Sequence, residues 1–259
     1  MKKIALVLSG GGTRGLSHIG VLKVLDQLDI KIDYIAGCSI GAIIGAAYAA
    51  GKSGQEIEDF ILSQKTYRLF NLSVSGLGLS SSKGLEKILA AWLPVKNFRQ
   101  LKTPLFINAT NLSQGKEVVF SKGNILAAIR ASVAVPGIFV PAKIRKDHFV
   151  DGGILNQVPH SILPSDTTHF LVVNASPFEK MGAKNNLKLV DVLAASLKMM
   201  QTEITYLKLA FIPKDNLVLI EPDLHQRKLL ERGKHFQTII KQGELAASKQ
   251  ILELLSKLR

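Results

Sequence analysis

The feature that most constrains this chain is Gly37-Cys38-Ser39-Ile40-Gly41, which lies between a predicted strand and a predicted helix. Residues 33–36 are typical of a strand end, and the small apolar residues that follow Ser39 predict a helix. G-x-S-x-G at such a junction has the form of a nucleophile elbow, a turn so tight that the serine is strained. Gly37 and Gly41 would be needed because a Cβ there would collide with neighbouring backbone. A serine N-cap beside helix-packing glycines fits the motif equally well, so the motif alone does not decide.

A second glycine-rich segment, Gly10-Gly11-Gly12-Thr13-Arg14-Gly15, follows the apolar run at residues 4–8 and precedes a helix predicted at residues 16–28. Gly10, Gly12 and Gly15 satisfy G-x-G-x-x-G, the fingerprint of dinucleotide binding. That fingerprint requires an acidic residue at the end of the second strand, whereas Asp33 lies at its start. The alternative is an oxyanion hole, formed by consecutive backbone N–H groups beside a helix N-terminus. Arg14 would add charge to such a loop or would make a surface salt bridge.

A third motif, Asp151-Gly152-Gly153, ends a predicted strand in a glycine turn. An aspartate can act as the base for a serine directly if the two side chains lie within hydrogen-bond reach. Alone, the motif describes an ordinary turn equally well. The more usual base is a histidine, but none of the histidines after Asp151 lies in a segment of catalytic character: His160, His169, His225 and His235. His18 is expected to be a packed, hydrogen-bonded residue.

Strands and helices alternate along the whole chain, which predicts an α/β fold. We expect one domain over residues 1–259, with a mainly parallel central sheet covered by helices on both faces in a three-layer α/β/α sandwich. Further helices are predicted at residues 54–64, 85–93, 125–131, 187–211 and 235–258, and further strands at 105–109, 117–120, 169–174 and 217–220. The last helix is expected to be interrupted at Gly243, and Met199 and Met200 are expected in the core. Residues 71–84 combine glycine and serine with Leu72 and Leu79, which fits either a mobile lid or a surface loop with buried leucines.

The composition is that of a globular protein, with 47% hydrophobic and 20% charged residues. Cys38 is the one cysteine, which excludes an internal disulfide and suits a reducing compartment. No apolar run reaches the roughly 20 residues of a spanning helix, so we expect a cytoplasmic protein. The net charge of +13 favours anionic partners, and we prefer peripheral contact with the anionic inner face of a membrane. Nucleic acid is not expected, because the basic residues are scattered and aromatic residues are few.

The three motifs in this order, each at a predicted strand end, resemble the patatin-like phospholipase family. GGGTRG is similar to that family's oxyanion loop, GCSIG to its serine elbow and DGG to its acid motif. Residues 15–22, 131–139 and 151–159 add to the resemblance, which is clear from Lys3 to about Pro159. It is closest to bacterial one-domain members, which are similar to the catalytic domain of neuropathy target esterase.

The resemblance implies a Ser-Asp dyad without a catalytic histidine. Ser39 would attack an acyl ester, and Asp151, in the turn with Gly152 and Gly153, would accept the proton. Backbone N–H groups of Gly10, Gly11 and Gly12 would bind the oxyanion, supported by Arg14. The implied substrates are phospholipids, lysophospholipids or other acyl esters, with no metal and no cofactor required.

Two other functions remain open at the level of the sequence. One is a nucleotide-binding module that uses the loop from Gly10 to Gly15. The other is a non-catalytic adaptor that binds lipid or protein. The sequence does not choose the head group, the acyl length or the oligomeric state.

Overall fold

A central mixed sheet of eight strands organises the chain. The computed structural model describes residues 2–63, 83–177, 189–224 and 233–258. The strands are β1 Ile4–Leu8, β2 Tyr34–Gly37, β3 Leu105–Asn111, β4 Lys116–Phe120, β5 Ala142–Ile144, β6 Asp147–Asp151, β7 His169–Val173 and β8 Leu217–Ile220. The α-helices are α1 Ser17–Gln27, α2 Ile40–Ala49, α3 Gly54–Leu62, α4 Lys83–Trp92, α5 Ile125–Ser132, α6 Leu189–Leu209 and α7 Phe236–Leu258.

The order of strands across the sheet is β5-β6-β3-β2-β1-β7-β8, with β4 paired to β3 off this path. β3, β2, β1, β7 and β8 run parallel to one another. β4, β5 and β6 pair antiparallel at one end of the sheet. The prediction of an α/β fold with a mainly parallel sheet is therefore confirmed, and the antiparallel end is an addition to it.

Apolar side chains leave the sheet on both faces, as a sheet covered on both sides requires. Leu6 and Leu8 of β1 join the main core cluster, which also contains residues of α1 and α7. Val7, between them, packs into a second cluster with Leu209 and Ile212 at the end of α6. Successive strand residues point to opposite faces, so helices cover the sheet on both sides and the three-layer expectation is met.

Helix α7 runs without a break through Gly243, which corrects the predicted interruption. The glycine is there because α7 lies against α1. A Cβ on Gly243 would overlap the backbone carbonyl of Ser17, and a Cβ on Gly20 of α1 would overlap the carbonyl of Ile240. Two helices in such close contact need glycine at the crossing, and this packing outweighs the low helix propensity of glycine.

The two methionines of α6 correct another prediction, because they lie outside the core. Met199 and Met200 are 57% and 54% exposed. The helical spacing of apolar residues along α6 correctly predicted a helix, but it did not show which face is buried. The segment at residues 71–84, which fitted either a lid or a surface loop, lies outside the described residues except for its last two positions, which begin α4.

We predict that Gly243→Ala destabilises the fold by about 2 kcal/mol, because backbone rather than a flexible side chain must move to admit the methyl group. For a chain of this size, that loss lowers Tm by roughly 5 °C. Thermal unfolding followed by circular dichroism measures it. Ser248→Ala, at an exposed position of the same helix, is the control, and an equal Tm in both variants would contradict the close crossing.

Candidate functional site

The ends of β2 and β6 meet on the same edge of β3. β4 pairs with β3 along Ile107 to Asn111 and so occupies one edge. β2 and β6 therefore share the other edge: Gly37 of β2 pairs with Ile107, and Asp151 of β6 pairs with Ala109. Because β2 is parallel and β6 antiparallel to β3, their carboxyl ends face each other. The segment after β2 contains Ser39, so this topology brings the serine and the aspartate together.

The backbone at Ser39 is strained, with φ of 52° and ψ of −119°. A non-glycine residue rarely adopts a positive φ, and the strain is held by a tight approach of the surrounding backbone. A Cβ on Gly37 would lie 2.5 Å from the carbonyl oxygen of Gly41, and one on Gly41 would overlap the carbonyl oxygen of Leu8. Both glycines are thus sterically required, and α2 begins directly after the serine, at Ile40.

Ser132 is a contact that the sequence motifs did not indicate. Its Oγ accepts a hydrogen bond of 2.8 Å from the backbone N–H of Ser39, and both residues are buried. Ser132 is the last residue of α5, so this bond joins the elbow to a second helix, which packs in the same core cluster as α2. Residues 131–139 contributed to the family resemblance, but nothing in the sequence showed which hydroxyl would reach the elbow.

Asp151 is buried and held by several backbone contacts. Its Oδ1 accepts from the N–H of Gly153 at 2.7 Å and faces the Cys38 thiol at 3.8 Å. Its own N–H donates to the carbonyl of Ala134 at 3.0 Å, and its carbonyl accepts from the Thr110 hydroxyl at 3.1 Å. These bonds fix the carboxyl group on the side of the elbow.

Burial raises the pKa of Asp151 to about 6. The neighbouring Ser39 hydroxyl, Gly153 N–H and Cys38 thiol lower the pKa, but their effect is smaller than that of burial. The Ser39 side chain is thus close enough to affect the pKa of the carboxyl group, but no hydrogen bond joins the two side chains. Asp151 Oδ2 is buried and has no hydrogen-bond partner among the described residues. A poorly solvated carboxylate oxygen next to a hydroxyl is suited to take up its proton.

The glycine loop is tied to the segment after Asp151. The N–H of Gly10 donates to the carbonyl of Gln157 at 3.0 Å, and Nε2 of Gln157 donates to the carbonyl of Gly10 at 3.3 Å. The N–H of Gly10 is therefore already engaged, which corrects its predicted role as an oxyanion donor. Among the described residues, no backbone carbonyl accepts from the N–H of Gly11 or Gly12, and these two glycines line the cavity beside Ser39. Gln157 was not singled out by the sequence.

Arg14 lies in the short 3-10 helix Gly12–Leu16 that follows the loop. Its backbone N–H donates to the carbonyl of Gly11 at 3.2 Å, and its half-buried side chain is part of the cavity wall. The residue therefore closes the loop through its backbone and places a cation in the wall of the cavity that Ser39 also lines.

A cavity of ≈730 Å³ contains the motifs. Ser39, Asp151 and the loop from Gly10 to Arg14 form part of its polar wall, and the rest of that polar wall comes from Gln157, Ser176, Lys198 and Gln201. Most of the remaining wall is apolar. It comes from α2, α3, α4, α6 and the segments that follow α5, β6 and β7: Ile40, Ile43, Phe60, Ile61, Leu85, Ile88, Leu89, Val133, Val135, Pro136, Ile138, Phe139, Ile154, Pro177, Ala194 and Leu197. A volume of this size is ordinary for a small-molecule site, and a mostly apolar wall with few polar groups fits an apolar ligand.

No histidine lines this cavity among the described residues. His18 is fully buried, with Nε2 2.9 Å from the carbonyl oxygen of Ser9, and burial lowers its pKa to about 4. His160 is buried with Nδ1 3.3 Å from the carbonyl oxygen of Val158, and burial lowers its pKa as well. His225 lies outside the described residues. The part of the chain that the structure describes contains no group of three His, Cys, Asp or Glu side chains suited to a metal.

The nucleotide interpretation receives no support from the second strand. Asp33 precedes β2, and its Oδ2 accepts a 2.8 Å hydrogen bond from the N–H of Ile4. The carboxyl end of β2, where a ribose-binding acid would lie, is instead Gly37 and the elbow. Asp33 therefore joins the amino ends of β1 and β2 at the edge of the sheet opposite the cavity.

The fold and the motifs define a class: α/β proteins with a serine elbow, a glycine-rich loop and an Asp-Gly-Gly turn at one end of a mixed sheet. Residues 6–164 match the patatin-like phospholipase family. An NTE family protein of Mycobacterium tuberculosis is 39% identical over 164 residues, which cover 61% of this chain and 44% of that protein. Lysophospholipase NTE1 of Cryptococcus neoformans is 32% identical over 171 residues, which cover 61% of this chain and 10% of the relative.

Among solved structures, VipD from Legionella pneumophila has a similar fold. Its TM-score is 0.54 at 14% identity, and the match covers 96% of this chain and 66% of VipD. The chain belongs to the patatin-like phospholipase family, which confirms the resemblance. It spans less than half the length of the two relatives named above.

We predict that Asp151→Asn is more stable than wild type at neutral pH. A folded-state pKa of about 6 exceeds that of an unfolded aspartate, about 3.9. The stabilising contribution of wild-type Asp151 is therefore complete below pH 4 and is lost as pH rises through 6. Asparagine carries no charge at any pH, so the variant's advantage should grow from near zero at pH 4 to about 3 kcal/mol at pH 7 and above.

Denaturant unfolding of both proteins across this pH range tests the prediction. Asp215→Asn removes the same charge at an exposed position and is the matched control. An advantage that grows equally in both variants would contradict an effect of burying Asp151.

Proposed function

We propose that this chain is a serine hydrolase that cleaves fatty-acyl esters of phospholipids or lysophospholipids through Ser39 and Asp151. The observation that carries the proposal is the buried carboxyl group of Asp151, with its raised pKa, beside a strained serine at the end of β2. Membership of the phospholipase family supports lipid as substrate. The lysophospholipase named among the relatives supports an acyl ester as the bond cleaved.

The proposed reaction begins when Ser39 Oγ attacks the ester carbonyl carbon and its proton passes to Asp151 Oδ2. Negative charge then develops on the carbonyl oxygen, where the N–H groups of Gly11 and Gly12 stabilise it, and the charge of Arg14 adds to them. The tetrahedral intermediate collapses, and the leaving alcohol takes the proton from Asp151. Water, deprotonated by Asp151, attacks the acyl-enzyme, and the fatty acid is released with Ser39 restored.

In this proposal the apolar cavity wall binds the acyl chain of the substrate. The acyl chain lies against Ile43, Leu89 and Val133, which line the cavity together with Ser39. An apolar wall also lowers the local dielectric around Asp151 and strengthens its interaction with the serine proton. We expect the protein to act in the cytoplasm on lipid in or near a membrane. No helix in the described ranges is long and apolar enough to cross one.

We predict that Ser39→Ala abolishes labelling by a fluorophosphonate probe. Ser176 also lines the cavity, so Ser176→Ala is the matched control and should still be labelled. Fatty acid released from a panel of phospholipids and lysophospholipids should be lost in Ser39→Ala and reduced by about 10²–10⁴ in Asp151→Asn, the usual contribution of a general base.

Several outcomes would overturn this assignment. Labelling that persists in Ser39→Ala would remove Ser39 as nucleophile. Near-complete inactivation by alanine at His160, His169, His225 or His235 would favour a triad. Saturable dinucleotide binding without labelling would favour a nucleotide module, and vesicle binding without ester cleavage would favour an adaptor.

We also predict that kcat/KM falls below about pH 6, tenfold for each pH unit, with a single titration. Only ionised Asp151 can accept the serine proton, and its pKa is about 6, so protonation removes the base as pH decreases. The profile is measured with a soluble short-chain ester between pH 4.5 and 8. A midpoint near 4, or one that moves when His160 is replaced, would contradict the role of the buried carboxyl group.

A further inference from the structure

Helix α6 has one face that packs on the protein beside the cavity. Thr202, Thr205 and Leu209 are buried on this face. Gln201 Nε2 donates to the carbonyl of Gly153 at 2.9 Å, and Lys198 donates to the carbonyl and hydroxyl oxygens of Ser176. This face therefore fixes the position of α6 against the glycine turn that follows Asp151.

The opposite face of α6 is mainly apolar, although Ser196 and Glu203 are also exposed on it. Its exposed side chains recur at spacings of three, four and seven residues, so they form one row along the helix and the turn after it. We call this row the α6 stripe: Leu189, Leu193, Leu197, Met200, Leu207 and Phe211. Their exposed fractions run from 47% at Leu197 to 87% at Phe211, and at about 1.5 Å per residue the row is roughly 33 Å long. Between Met200 and Leu207 the half-buried Ile204 continues the row, and Glu203 is exposed beside it. A surface helix usually carries polar residues at such positions, so a mainly apolar row of this length indicates a binding surface.

The α6 stripe is continuous with the mouth of the cavity. Leu197 belongs to both, since it lines the cavity and is 47% exposed. On another part of the cavity wall, Pro136 and Gly137 are also exposed. Val140, close by in the chain, is an exposed apolar residue too. An apolar ligand that reaches the stripe can therefore pass into the cavity along apolar side chains without crossing water.

We propose that the α6 stripe docks the protein on an anionic lipid surface, with the axis of α6 in the plane of the interface. The inference rests on the proposed lipid hydrolase activity for its occupant, because the substrate of that activity is held in such a surface. The net charge of +13 complements anionic lipid and attracts the protein over the Debye length. The stripe then buries its row of side chains at the boundary of head groups and acyl chains, as interfacial amphipathic helices do. The mouth of the cavity faces the acyl esters in that position.

The test measures binding to vesicles of phosphatidylcholine and phosphatidylglycerol by co-sedimentation. It uses the full chain with Ser39→Ala, so that hydrolysis does not change the vesicles. Leu193→Gln and Leu207→Gln do not touch the cavity wall, and each should weaken binding about tenfold, since each removes a buried leucine from the docked state. Leu252→Gln is the matched control, because Leu252 is 69% exposed on α7 and should bind as the parent does.

A second variant reports the docked state directly. Phe211→Trp places a fluorophore in the stripe, and its emission should be quenched by brominated acyl chains in the same vesicles. Leu252→Trp should not be quenched. The loss of binding in the glutamine variants should persist at high salt, because salt screens the attraction of charges but does not weaken burial of apolar surface.

Equal vesicle binding by the Leu193, Leu207 and Leu252 variants, or no binding by the parent, would overturn the proposal. So would a parent that is dimeric by light scattering and becomes monomeric in Leu193→Gln, since the stripe would then bind a second copy. Hydrolysis of a soluble ester, measured with Ser39 restored, separates the two proposals. If the soluble ester is not hydrolysed but vesicle binding still requires the stripe, only the hydrolase proposal is wrong. If the soluble ester is hydrolysed and the stripe variants bind vesicles as the parent does, only the docking proposal is wrong.

Discussion

The candidate site depends on how the strands pair in the sheet: β2 and β6 pair with the same edge of β3, one after the other along its length. Because β2 and β6 approach that edge from opposite directions, the last residues of both point at the same gap. Two positions far apart in the chain, Ser39 and Asp151, are thereby placed together by backbone hydrogen bonds. Side-chain contacts, such as the hydrogen bond from the Ser39 N–H to Ser132, add to a relative position that strand pairing has already set.

The low solvation of Asp151 links stability with chemistry. Burial disfavours the charged form of Asp151, so the fold is less stable at the pH at which the proposed base is ionised. The strain at Ser39 has the same character, since the backbone conformation at the elbow is one that a serine rarely adopts. The free-energy cost of these local features is offset by a large apolar core on both faces of the sheet.

The sequence predicted most helices and strands, since their apolar periods are clear and glycine turns mark their ends. It also predicted the three motifs and their family, because glycines required by close backbone approach leave a readable signature. It could not predict which edge of β3 receives β6, since antiparallel and parallel strands of this length look alike in composition. Gly243 was misinterpreted for a related reason: a glycine that breaks a helix and one that lets another helix approach have the same letter. Met199 and Met200 show the complementary limit, because helical spacing identifies an apolar row without showing whether protein or solvent faces it.

The segment that matches the family ends at residue 164, before the strand that completes the middle of the sheet. β7 pairs with β1 along its whole length, and β8 continues the sheet beyond it. A fragment that stopped at the family boundary would leave β1 with an open edge of unpaired amides and carbonyls, and α1 would lose the helix that crosses it at Gly20. The segment beyond the family match is thus part of the architecture, and substitutions in it should be tolerated only where its backbone bonds and the small crossing residues are kept.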